Sequence, residues 1–294
     1  MSTAVVLMAY GSPERLEDVA AYYADIRGGR PIRPDLLEDL VERYRSLGID
    51  EGPNPLNEIT EQTRAALERD LGLPVFTGMK HWPPRIAEAA ERALETGART
   101  LAGLVLAPHY SRMSIAGYRE QLEEAIAGRA DLAFVESWYH DPGLVAFLAA
   151  RVRGTDGHVV FTAHSLPARI LVEGDPYEEQ LLETSRLVAE AAGISDWSFS
   201  YQSESDTGEP WLQPDILDHL EELQARGVEH VLVCPVGFVS DHLEIRWDLD
   251  TEAAARAAEL GLRFERIEMP NADPAFVRVL AGVVRRALAV PSKP

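Results

Sequence analysis

One cysteine stands in the 294-residue chain. An internal disulfide is therefore impossible, and so is a zinc-ribbon or iron–sulfur site, each of which needs several thiolates. Basic residues are scarce: 28 Lys and Arg stand against 48 Asp and Glu, a net charge of −20. Nucleic acids and anionic lipid surfaces are polyanions, so non-specific binding to them is excluded, whereas a local basic pocket for a small anion is not. No apolar run reaches the roughly 18 residues that span a bilayer. The apolar start, Met1 to Ser12, is too short for a span and lacks a basic leader, so it reads as a first buried strand. The cytoplasm is the expected compartment. G-x-G-x-x-G, Walker A, H-E-x-x-H and G-x-S-x-G motifs are all missing. Dinucleotide redox chemistry, P-loop NTP hydrolysis, zincin proteolysis and a serine-hydrolase elbow are thereby disfavoured.

What is present is ordinary globular sequence, 46% hydrophobic and 26% charged. At about 150 residues per domain the length suggests two domains. Apolar runs of strand length fall at 5–9, 75–78, 101–107, 133–136, 159–163, 197–201, 231–236 and 262–267. Cys234 lies inside the seventh and reads as a buried small hydrophobe. Helical periodicity fills the intervals. Helices are expected over 60–71, over 86–96 before Gly97, from the Asp175-Pro176-Tyr177-Glu178 capping signature to Gly193, and over 215–226 before Gly227. Alternating strands and helices indicate βαβ units and mainly parallel sheets. The expected fold is α/β, with two similar Rossmann-like domains, 1–150 and 151–272. A C-terminal helix, 273–294, is expected to pack back on the first domain.

Four apolar runs end in polar clusters, two in each half: Met8 to Ser12, Ala107 to Ser111, Thr162 to Pro167 and Pro235 to His242. Ligands of open α/β sheets sit beyond the carboxyl ends of strands, so a cleft between the domains is the expected site. Tyr10, His109, Tyr110, His164, His242 and Glu244 all follow strands. A single histidine there is more often a cap or core residue, but several strand ends bearing such groups favour a functional cleft.

Glu244, Asp248 and Glu252 are spaced by four, which lines up three carboxylates with roughly 6 Å of rise per step on an α-helix. The stripe is either a solvated face or a path for protons or a cation. Arg27, Arg30, Arg33, Arg43 and Arg45 crowd 19 residues that also hold Asp35, Glu38, Asp39 and Glu42. They are either surface ion pairs or bidentate holders of a carboxylate or phosphate. Lys80, His81 and Trp82 set a cation beside an aromatic surface.

At these residues the sequence resembles the ferrochelatases, which insert Fe(II) into a porphyrin. The matching segments are 9–13 (AYGSP), 78–81 (GMKH), 105–109 (VLAPH), 135–139 (VESWY), 162–167 (TAHSLP), 174–177 (GDPY), 201–204 (YQSE), 210–214 (PWLQP), 235–244 (PVGFVSDHLE) and 268–271 (EMPN). They follow the family order over nearly the whole chain. The compact bacterial type that uses coproporphyrin III is the nearest in pattern, through Tyr10, Lys80 and His81 and through the lack of a membrane-binding insert.

The resemblance implies that His164 and Glu244 are catalytic and metal-binding and face each other across the macrocycle. It implies a relay through Asp248 and Glu252 on a π-helical turn, with Tyr10 approaching the metal from the opposite side. Arg27, Arg43, Tyr44, Asn54 and Ser111 fall where the family holds propionates. Tyr10, Lys80, His81 and Trp211 complete the implied porphyrin site. Asn54 and Arg112 depart from the family's usual Ser and Thr. Fe(II) is implied as substrate, with no permanent cofactor and no iron–sulfur cluster. A monomer is expected, with hand-over of product to the next haem-pathway enzyme. Rival readings are a protoporphyrin IX chelatase on the same fold, a tetrapyrrole carrier without catalysis, and a cobalt or nickel chelatase for a more reduced ring.

The acidity is uneven. Residues 171–230 carry −13 of the −20, whereas 27–45 carry +1. That asymmetry fits an anionic porphyrin at a first-domain lip and a cation drawn to the second, over the roughly 8 Å that salt permits.

Overall fold

The computed structural model describes residues 2–30, 32–205 and 207–289. The first half folds as β1 (Thr3–Ala9), α1 (Val19–Ile26), α2 (Pro34–Ser46), α3 (Pro55–Leu71), β2 (Val75–Met79), α4 (Ile86–Glu95), β3 (Thr100–Val105), α5 (Ile115–Ile126), β4 (Asp131–Val135) and α6 (Pro142–Val152). The second half holds β5 (His158–His164), α7 (Arg169–Val172), α8 (Tyr177–Ala192), β6 (Trp197–Gln202), α9 (Ile216–Ala225), β7 (His230–Cys234), a π-helix (Ile245–Ala253), α10 (Ala254–Glu259), β8 (Arg263–Arg266) and α11 (Pro274–Ala289).

Among the described residues, the eight named strands pair in parallel throughout. The sheets have equivalent orders, β2-β1-β3-β4 and β6-β5-β7-β8. The first strand of each half is central and covered by helices on both faces. Accordingly β1 and β5 are near-continuous apolar runs, buried from Ala4 to Ala9 and from His158 to Ala163. All eight runs read from the sequence are strands, with ends shifted by at most two residues.

The two halves share a core. Trp138 and Phe147 from the first meet Phe276 of α11 at centroid distances of 6.0 and 5.7 Å. Val159 and Phe161 of β5 belong to the same apolar cluster as Val5 and Leu7 of β1. Truncating a ring as buried as Phe276 costs about 3–5 kcal/mol in such a core. Helix α11 lies against α3, α6 and β4. A smaller cluster, Val19, Tyr22, Tyr44 and Ile49, joins α1 and α2 into a helical lobe that also packs on Leu243 of the second half. The lobe therefore reaches across the cleft.

One capping expectation is corrected. Helix α8 starts at Tyr177, with Pro176 at the N-cap position. Asp175 accepts from the Tyr177 amide, but it also accepts from the Arg112 amide at 2.7 Å and the Ser111 hydroxyl at 3.1 Å. Glu178 accepts from the Tyr201 hydroxyl instead of closing a capping box. The signature is recruited to join the halves. Among the described residues no helix is long and apolar enough to cross a membrane.

Candidate active site

His164 is the last residue of β5 and Glu244 immediately precedes the π-helix. Parallel pairing of β5 with β6 and β7 brings these carboxyl ends together. His164 Nε2 lies 3.5 Å from Glu244 Oε1. His164 Nδ1 contacts the Ser165 carbonyl oxygen, which can only accept a proton, so Nδ1 is the donor. Nε2 then faces a carboxylate, and a proton there completes an imidazolium. Burial opposes the charge, but Glu244 outweighs it and lifts the His164 pKa to about 9. Glu244 moves the other way: burial would raise its pKa, but His164 and then His242 hold it far below the ordinary carboxylate range. His242 Nε2 is 3.4 Å from the second Glu244 oxygen, so one carboxylate lies between two imidazoles.

The expectation that a macrocycle separates His164 from Glu244 is corrected. A gap of 3.5 Å has no room for a ring, so both groups belong to the same side of the cleft.

The backbone carbonyl of Glu244 accepts from Gln202 Nε2 at 2.9 Å, and Gln202 in turn accepts from Thr162. Gln202 is buried at the end of β6 and anchors the start of the π-helix to the sheet. Gly237 allows the loop after β7 to pass over β5. A Cβ there would lie 2.5 Å from Ala163 Cβ and 2.9 Å from its Cα, one residue before His164.

Asp248 is only 8% exposed, so it is not part of a solvated stripe. Burial, followed by the Glu244 charge, pushes its pKa up to about 7. The Ser203 hydroxyl donates to it from a residue at φ +65°. Glu252 is half-exposed and 3.9 Å from Arg43, whose guanidinium lies 5.3 Å from the Trp247 ring centroid. Arg43 thus bridges from the helical lobe to the π-helix.

On the first-domain side Tyr10 follows β1 and is 42% exposed. Partial burial and then the Glu244 charge raise its phenol pKa, so it stays protonated and within electrostatic reach of Glu244. Its ring packs on His81 at 4.5 Å. Burial lowers the His81 pKa despite a 2.9 Å contact with Asp25. Trp211 walls the second-domain side, its ring 6.3 Å from His164. Arg27 is exposed beyond the end of α1.

Four residues expected at the porphyrin are turned elsewhere. Tyr44 is 4% exposed and packs on Tyr22 inside the lobe. Asn54 is 1% exposed: its oxygen caps α3 at the Leu56 amide and its amide donates to Ser12 and Pro13. Ser111 is fully buried on Asp175. The Lys80 ammonium donates to the Ser114 carbonyl at 3.1 Å and lies over Tyr118. These groups shape the walls from behind. His109 and Tyr110 also serve the seam between the halves. Burial drops the His109 pKa to about 3, its Nε2 meets Thr184 at 2.8 Å, and the Tyr110 amide donates to Gln180. Gln202, Ser203, Asp25 and Arg85 join the site only in the fold; the segment 201–204 is the sequence signal for the first two.

The ferrochelatase family model matches residues 2–288. A ferrochelatase of Herpetosiphon aurantiacus is 42% identical over 301 residues, covering 96% of this chain and 98% of that protein. A coproporphyrin III ferrochelatase of Halalkalibacterium halodurans is 40% identical over 303 residues, covering 97% of each. Another from Bacillus subtilis is 38% identical over 304 residues, again covering 97% of each. Among solved structures, SirB from Bacillus subtilis with Fe3+ superposes with a TM-score of 0.65 at 12% identity, over 98% of this chain and 96% of that one. That likeness is one of fold alone.

Proposed function

The chain belongs to the ferrochelatase family, enzymes that insert iron into porphyrin, and from that premise we propose that its porphyrin is coproporphyrin III. Relatives named coproporphyrin III ferrochelatase at 38–40% identity over 97% of the chain support this choice, although the relative at 42% is named simply ferrochelatase. The arginine-bearing lobe also supports it, because coproporphyrin carries four carboxylates and guanidinium binds carboxylate bidentately.

The reaction replaces two pyrrole protons with Fe(II), so the protein must receive two protons and guide a dication. The single observation that carries the reading is the His164–Glu244 pair, with His242 on the same carboxylate and Asp248 behind it. At neutral pH the pair is an imidazolium–carboxylate. An arriving dication disfavours that proton and exposes a borderline nitrogen and a hard oxygen, both suited to Fe(II). Asp248, poised near neutrality, holds or passes protons close to the pair. Tyr10 offers an oxygen from the first domain. Arg27 and Arg43 hold propionates at the lip, and Trp211 bounds the ring. A ring held by its periphery can be bent, which exposes nitrogen lone pairs at the expense of remote binding energy.

No permanent cofactor enters this scheme, and we assign the protein a monomeric state with transient product hand-over. The deciding experiment is anaerobic iron insertion, followed at the Soret band, with coproporphyrin III and protoporphyrin IX in parallel. A higher kcat/KM for coproporphyrin III is the expected result. A preference for protoporphyrin IX would overturn the substrate assignment, and binding of both without turnover would favour a carrier.

A further inference from the structure

We propose that Asp25 and Arg85 are positioning residues for the first-domain wall of the cleft: Arg85 fixes Asp25, Asp25 fixes the His81 ring, and that ring fixes Tyr10. The inference rests on the porphyrin reading of the cleft. It assigns a role to two residues outside every segment that carries the family resemblance.

The geometry forms an unbroken chain. Arg85 Nη2 donates to Asp25 Oδ1 at 2.9 Å, and Nη1 donates to Oδ2 at 3.1 Å. Such a fork on a carboxylate is the most directional ion pair that side chains make. Nη1 also donates to the Lys80 carbonyl at 2.9 Å, which ties the guanidinium to the loop that carries His81. Asp25 Oδ2 then lies 2.9 Å from His81 Nδ1. An ionised carboxylate can only accept, so Nδ1 carries the hydrogen and Nε2 is left as the free position. The Tyr10 ring packs on the imidazole at 4.5 Å with a 54° tilt. Two backbone bonds bind the same loop to the end of β1: the His81 amide donates to the Tyr10 carbonyl at 3.0 Å, and the Lys80 amide donates to the Ala9 carbonyl at 2.9 Å.

The side chains need this support. The terminal torsion of histidine is broad, so an imidazole without a partner samples many ring planes. Tyr10 is 42% exposed, and its packing on His81 is what sets the plane it presents to the cleft. Asp25 is on α1 and Arg85 caps α4. The chain therefore also registers the helical lobe against the first sheet, next to the exposed phenol. A half-exposed ion pair adds little stability. Its consequence here is orientation.

The test uses the full-length protein labelled with nitrogen-15 at histidine, with Asp25→Ala, Asp25→Asn and Arg85→Gln. Imidazole nitrogen spectra of the unmodified protein should show His81 as the Nδ1–H tautomer. Asp25→Ala should shift it toward the Nε2–H form common in solution. In steady-state assays with coproporphyrin III, Asp25→Ala should raise the porphyrin KM about fivefold, a modest version of the losses that misplaced groups cause. The KM for iron should rise less than that for porphyrin, because Tyr10 is the one iron-facing group released, and kcat should stay within about twofold. Asp25→Asn keeps an acceptor for Nδ1–H and should restore most of the porphyrin KM, and Arg85→Gln should fall between.

An unchanged tautomer and porphyrin KM in Asp25→Ala, beside normal turnover by the unmodified protein, overturns the proposal. So does an Asn variant as impaired as the Ala variant. If the unmodified protein turns over neither porphyrin, the functional reading fails instead, and the tautomer spectra still decide whether Asp25 orients His81.

Discussion

His164 at the end of β5 and Glu244 at the mouth of the π-helix hold each other in opposite charge states across 3.5 Å. Burial alone would leave both neutral. Their mutual attraction reverses that, taking the His164 pKa to about 9 and holding Glu244 well below its usual range. The pair joins the end of β5 to the start of the π-helix, 80 residues apart in the chain, so it couples the active-site chemistry to the stability of the second domain.

Glu244→Gln removes the charge but leaves the burial. The His164 pKa should then fall from about 9, because desolvation is left opposed only by the Ser165 carbonyl and the Asp248 charge. A histidine whose folded pKa is raised stabilises the fold below its unfolded pKa and loses that contribution as pH rises through about 9. A depressed glutamate stabilises above its unfolded value near 4.5 and loses that contribution as pH falls toward the folded value. The stability advantage over Glu244→Gln should be greatest near pH 5–6 and fade by pH 9 to 10. NMR titration of His164 and melting temperatures across pH check both halves.

Asp248 has the reverse sign. Its pKa is raised from 3.8 to about 7, so ionising it in the fold is costly. The cost is absent well below pH 4, grows between about pH 4 and pH 7, and is fully present above that. Asp248→Asn should be no less stable than the parent at pH 4, and more stable at pH 8 by on the order of 1–3 kcal/mol. Iron insertion should fall at least about tenfold if the carboxyl carries protons. Denaturant unfolding at both pH values and steady-state rates make the comparison.

Asn54 and Ser111 should behave as structural residues. Asn54→Ala loses an N-cap and two further hydrogen bonds and should cost about 1–2 kcal/mol. Ser111→Ala strips a buried partner from Asp175 and should cost about 1–3 kcal/mol. The porphyrin KM should change by less than about twofold in either. A KM increase of tenfold with unaltered stability would restore the propionate role that the family pattern implies.

Gly237→Ala should damage the site without touching it. Its Cβ would collide with the backbone of Ala163, next to His164, where no flexible side chain can give way. Overpacking of this kind costs about 1–3 kcal/mol or more. Because the strain falls on the end of β5, turnover should fall further than the melting temperature suggests. Comparing both with an Ala163→Gly, Gly237→Ala double variant, which removes the 2.5 Å Cβ–Cβ clash and leaves the 2.9 Å approach to the Cα, separates the side-chain part of the strain from the backbone part.

The fold was largely legible in the sequence. Buried parallel strands require uninterrupted apolar runs, and those runs are short, numerous and separated by helical periods. The unusual polar strand ends at His164 and 235–244 were legible for the same reason, since packing alone does not call for such residues there. Tyr44, Asn54, Ser111 and Lys80 turn to supporting partners, an orientation the sequence does not carry, because a polar side chain near a cleft can face it or support it and residue type does not distinguish these. Asp25 and Arg85 carry no signal in the sequence because each is an ordinary charged residue until the lobe brings them together.

The sequence by itself determined the strand and helix order, the duplicated architecture, the lack of thiolate sites and the family, because periodicity, composition and ordered motifs are local properties of the chain. Only the tertiary structure decided that His164 and Glu244 share one side of the cleft and that Asp248 is buried enough to hold a proton near neutrality. Those outcomes depend on distance and desolvation. Both are set by how β5, β7 and the helical lobe converge, and neither is written at any single position.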